Sequence, residues 1–234
     1  MSKKGEKFEL SIEKMAKDIN YEKPEYPNSL VDEAEYIKID NTLSNAVALT
    51  NAGTTLVREE ALPDLLAENR KDTRYIVDNK IPDSQKIIIN SERYIKSGAV
   101  LSETHTRSEE HPDAEKRAKN SYVSQSLVNI SKSVETKAQK SDYEGFAKKE
   151  EKKLGKIRKR KYNINNDEIT GEPLKGNGDF HHVNKKTLYP DPVQRLNPDK
   201  GKLVNRKTHM DIHKNNINDE KALANYIEEQ RKMK

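Results

Sequence analysis

The chain has 234 residues, of which 32% are hydrophobic and 35% charged, with a net charge of +5. Soluble proteins usually carry roughly 45–50% apolar and 25% charged residues, so this balance excludes one large apolar core. Cysteine is absent, which excludes a disulfide framework and a thiolate metal site.

The same absence fits a reducing cytoplasm, and that location is expected. No apolar run approaches the ~20 residues of a membrane span. The basic start MSKKGEKFELSIEKM lacks the apolar centre of a signal peptide, so export would use a signal-independent route. Residues 1–27 read as a polar tail with one short helix at FELSIEKMAKDI. From Asn28 to about Arg70, apolar residues recur every three or four positions, which predicts helices in SLVDEAEYIKI, TLSNAVALTNA and VREEALPDLLAEN. Asn28-Ser29 and Asp40-Asn41 are candidate N-caps, Gly53 a candidate stop, and Pro63 the opening or kink of a helix. In residues 72–104, TRYIV and KIIIN are β-branched enough for strands, while SERYIKSGAVLSE suits a helix ended by Gly98.

From Pro112 to about Lys161 the sequence permits one long charged helix with a weak apolar face of Tyr122, Leu127, Ile130 and Val134. Its end, Lys152 to Tyr162, has Lys or Arg at seven of eleven positions. Such a run attracts polyanions, although most charge runs are solvated faces or linkers. Beyond Lys161, Asn, Gly, Pro and His become common, so a domain boundary is expected near residue 160. The last stretch, INDEKALANYIEEQRKMK, predicts a helix capped by Asn218. Three regions result: a tail at 1–27, a mainly helical region at 28–160 and a C-terminal domain at 161–234.

Four of the six histidines fall within 33 residues. HMDIH sets His209 and His213 at i and i+4, on one helix face and within reach of a shared metal. Met210 stands where zinc proteases of the HExxH type need glutamate, which disfavours peptide chemistry. In GDFHHVN, an extended strand would send His181 and His182 to opposite faces. That geometry suits one imidazole on a metal and its neighbour on a substrate. Each pair alone is explained by chance surface placement; two pairs bracketing a turn-rich loop are less easily so.

GDFHHVN, a loop, then HMDIH running into the basic His213-Lys214 resembles the HNH, or ββα-metal, nuclease motif, closest to the DNase modules of colicins and pyocins. The likeness covers about residues 162–217, including ITGEPL at Ile169–Leu174, and lacks the CxxC pairs that brace many members. Joined to the helical reading of residues 28–160, it gives an α+β chain in which a mostly helical N-terminal region precedes a C-terminal ββα-metal module. It implies His181, His209 and His213 as ligands of a divalent ion (Mg, Mn, Zn or Ni) and His182 as general base. The motif's asparagine, which orients that base, falls on Asn197, with Asn205 the alternative. Arg195 and Arg206 are candidates for phosphate contact or ordinary surface arginines. Asp179 either polarises a ligand histidine or sits in a turn. Lys156, Arg158, Lys159, Arg160 and Lys161 would grip the backbone just upstream.

The function this implies is a metal-dependent endonuclease, acting on DNA more than RNA with low sequence specificity. Phage, mobile-element, bacterial defence and toxin settings all fit, the last with an inhibitory or immunity protein as partner. No membrane partner is expected. The rival is a non-catalytic module that binds nucleic acid or protein on a degenerate HNH fold.

Overall fold

The computed structural model describes residues 8–26, 30–186, 189 and 192–232. The fold is mixed α+β, and its contacts divide it into two compact units, Met1–Glu144 and Gly145–Lys234. The basic run therefore belongs to the second unit, where the sequence had placed it at the end of the first. The Asn28-Ser29 cap lies outside the described residues.

The first unit is built on a five-stranded antiparallel sheet. Strand β1 (Ile12–Met15) leads to helix α1 (Glu33–Ala46), β2 (Val47–Thr50) and β3 (Thr55–Arg58). Helices α2 (Leu62–Leu65) and α3 (Arg70–Asn79) follow, then β4 (Lys86–Ile89), β5 (Glu92–Lys96), α4 (Ser97–Glu110) and α5 (Ala114–Lys132). The strands lie in the order β1-β2-β3-β5-β4, every pairing antiparallel. Val47, Leu49, Val57 and Ile95 meet helical Tyr36, Leu43, Tyr122, Leu127 and Ile130 in the main core. Ala48, Leu56, Ile89 and Tyr94 form a smaller cluster of their own.

Several sequence expectations change here. The tail contributes an edge strand, not a helix, because Ile12–Met15 pairs with β2. VALT and TLVR are strands; β2 is buried at all four positions, so no alternation marked it. Gly53, at φ +73, serves the turn between them and does not stop a helix. Asp40 and Asn41 lie inside α1, and buried Asp40 accepts hydrogen bonds from the Tyr122 hydroxyl and the Lys23 ammonium. Burial, and next the Asp40 carboxylate, push the Tyr122 phenol above its ordinary range.

TRYIV is helical, capped by Asn69, and buries Thr73, Ile76 and Val77 at helical spacing. ERYIK is strand β5, joined to β4 through Asn90 and Ser91, both at positive φ, as tight hairpins require. Gly98 consequently falls in the first turn of α4. Pro63 opens α2 as expected. The long helix breaks at Ser133, whose hydroxyl caps α6 (Val134–Tyr162) by accepting from the Thr136 amide. Tyr122, Leu127 and Ile130 are buried, but Val134 is 80% exposed.

The second unit starts within α6. It adds β6 (Asp179–His182), β7 (Gly201–Val204), α7 (Arg206–Lys214) and α8 (Glu220–Lys232). β6 and β7 pair antiparallel, with Phe180 opposite Leu203 and His182 opposite Gly201. Its core is small: Ile169, Val204, Ile212, Ile217 and Leu223, flanked by Val183 and Tyr226. The last part of α6 lies against the hairpin, and a Cβ on Gly155 would meet Leu203 Cδ1 at 3.4 Å and Phe180 Cβ at 3.6 Å. Asp219, one residue after the expected Asn218, caps α8 by accepting from the Ala222 amide.

Polar pins complete what the small core begins. Arg158 donates from Nε and Nη2 to the two carboxylate oxygens of Glu168, at 2.6 Å each, and from Nη1 to the Pro198 carbonyl. Burial works to raise the Glu168 carboxyl, but Arg158 and the Leu203 amide outweigh it and hold it low. Buried Asp167 accepts from the amides of Ile169, Thr170 and Asn205 and from the Thr208 hydroxyl. One carboxylate thus ties the ITGEPL turn to the start of α7. Among the described residues, no helix is long and apolar enough to cross a membrane.

Candidate metal centre

The β6–β7 hairpin and α7 bring three imidazoles together. His181 comes from β6, and His209 and His213 come from successive turns of α7, whose adjoining face, about 100° around the helix, buries Thr208 and Ile212. One ring nitrogen of each lies within 4.8 Å of the others, an arrangement that can hold a metal ion. The His209 and His213 Nε2 atoms are 3.1 Å apart.

The donor set fits such an ion on two independent grounds. His181 is 5% exposed, yet its Nε2 has no hydrogen-bond partner. A buried polar atom left unpaired is costly and calls for an explanation. His209 Nδ1 donates to Asp179 Oδ2 at 3.3 Å, which leaves Nε2 as the nitrogen with a lone pair. A carboxylate behind a ligand imidazole is the usual way to fix its tautomer. Burial, reinforced by His209, His213 and His182, pushes His181 down to about 4, so it is neutral, as a ligand must be.

His182 stands next to the triad and lines the same cleft. Its Nε2 donates to the Arg195 carbonyl at 2.8 Å, and its ring meets Phe180 edge-on, centroids 5.1 Å apart. In a neutral ring this hydrogen bond makes Nδ1 the basic nitrogen. Burial holds His182 below its ordinary value, with the Arg195 hydrogen bond working the other way.

Other candidates are placed differently. Asn197 does not touch His182; its side chain caps a 3₁₀ turn by accepting from the Asp199 amide. The main-chain carbonyl two residues earlier holds the imidazole in its stead. Asn205 is spent on the ITGEPL turn, accepting from the Lys175 amide and donating to the Pro173 carbonyl. The Arg195 guanidinium faces Glu151 at 3.3 Å. Arg158 is buried against Glu168, which removes it from the set that could meet a polyanion. Lys161 pairs with Asp199, and Lys159 donates to the Gly176 carbonyl. Arg206 stays 82% exposed, 3.7 Å from Asp179, and Lys156 and Arg160 are exposed.

The cleft beside the imidazoles, about 640 Å³, is also lined by Lys148, Lys152 and Lys185. Sequence reasoning placed Lys152 in the basic run without singling it out for the site, and it missed Lys148 and Lys185; the i, i+4 spacing of Lys148 and Lys152 was the available signal. Compared with protein-family models, curated proteins and solved structures, the chain matches none.

Proposed function

We propose that residues 162–217 act as an HNH-type, metal-dependent endonuclease module that hydrolyses phosphodiester bonds of DNA. The observation that carries this reading is the unpaired, buried His181 Nε2 facing two more imidazoles, beside a fourth whose tautomer is fixed by a main-chain carbonyl. A metal store would have no use for the fourth.

His181, His209 and His213 hold the divalent ion. Three imidazoles favour Zn or Ni in affinity, with Mg and Mn the weaker alternatives. When bound, the ion supplies charge stabilisation to the phosphoryl group and the leaving 3′ oxygen. His182 Nδ1 takes the proton of the attacking water as its oxygen bonds to phosphorus. The phosphorus–O3′ bond breaks, and the departing oxygen collects a proton from solvent. Burial keeps His182 neutral and ready at neutral pH. Asp179 holds His209 in its ligand tautomer, and the Arg195 carbonyl holds His182 in its basic one.

The test is plasmid nicking with Mg, Mn, Zn or Ni, wild type against His182→Ala. A general base contributes roughly 10²–10⁴-fold, so the variant should lose that factor and still bind metal. Bound metal without cleavage under every condition would retire the hydrolase in favour of a non-catalytic binding module.

A further inference from the structure

Three of the seven cations of the basic run, Arg158, Lys159 and Lys161, are engaged by Glu168, the Gly176 carbonyl and Asp199, which leaves the question of what the others are for. Around the second half of α6, Ala147, Leu154 and Arg158 are buried. Lys148, Lys152, Lys156 and Arg160 are exposed. These four recur every fourth residue, so they form one gently drifting stripe about 18 Å long. Its Lys148 end opens into the histidine cleft, where Lys185 adds a further exposed cation. The buried side of the same helix is fastened to the β6–β7 hairpin through Gly155 and to Glu168 through Arg158. Stripe and imidazoles therefore belong to one packed body.

We propose that Lys148, Lys152, Lys156 and Arg160 form a phosphate-binding rail that seats the backbone of a DNA duplex and leads it to the histidine cleft. The proposal rests on the nuclease reading and adds where, and in what form, the substrate is gripped. Lysines act on phosphate as point charges and carry no base information. Proteins that hold single strands add aromatic platforms for the bases. Among the described cleft residues, the only Phe, Tyr or Trp is Phe180, and it is packed against His182. The exposed rings of α6, Phe146 and Tyr162, are each two positions from the nearest rail cation and so about 160° around the helix from it, and Tyr162 lies under Arg158 and Lys161. A backbone rail without a stacking platform beside it selects duplex.

The test is fluorescence anisotropy with a short labelled DNA duplex and its single strand, using full-length protein in EDTA so that nothing is cut. Each phosphate that is no longer neutralised should lower the slope of log affinity against log salt by about 0.9. Lys148→Gln/Lys152→Gln should therefore flatten the slope by about 1.8 and weaken binding roughly 60-fold at 0.1 M salt. Lys71→Gln/Lys221→Gln removes the same net charge elsewhere and should change little. Equal effects of the two pairs, an unchanged slope for the first, or tighter binding of the single strand would overturn the rail. Rail-dependent duplex binding without cleavage by any metal would uphold it while retiring the hydrolase. Cleavage with an unaltered slope would do the reverse.

Discussion

Replacing Asp179 by Asn tests the metal centre without touching a ligand. The carboxylate receives Nδ1–H of His209 at 3.3 Å, and loss of such a partner typically weakens metal binding by 10–100-fold. Free metal at one hundred times its dissociation constant should stabilise the folded wild type by about 2.7 kcal/mol. At the same concentration the variant should gain only about 1.4 to 0.4 kcal/mol. For a unit the size of Gly145–Lys234, the wild-type gain corresponds to a rise of roughly 10–20 °C in its melting temperature. Differential scanning calorimetry with and without Zn or Ni reads these shifts. His209→Ala and His213→Ala should remove them almost entirely. A full shift in either alanine variant, or an Asp179→Asn shift equal to wild type, would show that the ion binds elsewhere.

Arg158→Ala should cost about 3 kcal/mol in urea unfolding, because it leaves Glu168, whose side chain is 15% exposed, with only the Leu203 amide and Lys202 at 3.5 Å. Its effect on the salt slope of DNA binding should be negligible while the variant stays folded; a loss below about 1 kcal/mol would contradict the buried pair. The metal-free protein should lose stability in acid through His181. Its folded value of about 4 lies below the ordinary 6.5, so between those values the unfolded chain binds more protons. That contribution is complete above pH 6.5 and disappears as pH falls through about 4, about 3 kcal/mol in all. Urea midpoints that are flat across this window would refute it.

The sequence disclosed the histidine triad because its parts are local: an i, i+4 pair fixes two ligands on a helix face, and a strand dyad splits two roles. The order of strand and helix was legible for the same reason, through the turn-rich loop that separates the two histidine pairs. What escaped was of another kind. The partner of His182 is a main-chain carbonyl, which no side-chain identity at residue 195 announces. Arg158 looks like its basic neighbours until Glu168, ten residues on, is folded against it. In the first unit, β2 is buried on both faces and so mimicked a helix, while Thr73, Ile76 and Val77 were read by their branching and not by their spacing. Residues 90 and 91 carried the correct hairpin signal in Asn-Ser, which is weaker than the Asn-Gly usually sought.

Asp167 has a consequence for where the imidazoles point. Its carboxylate holds the Asn205 amide, the residue before α7, and the hydroxyl of Thr208, the residue before His209. Two points of attachment within one turn set the rotational phase of the helix about its own axis. A helical residue turns by about 100° per step, so a slip of one position would swing His209 and His213 away from His181 together. The aim of the three nitrogens is thus fixed by a residue that touches none of them, from a turn more than forty residues upstream of the first α7 histidine.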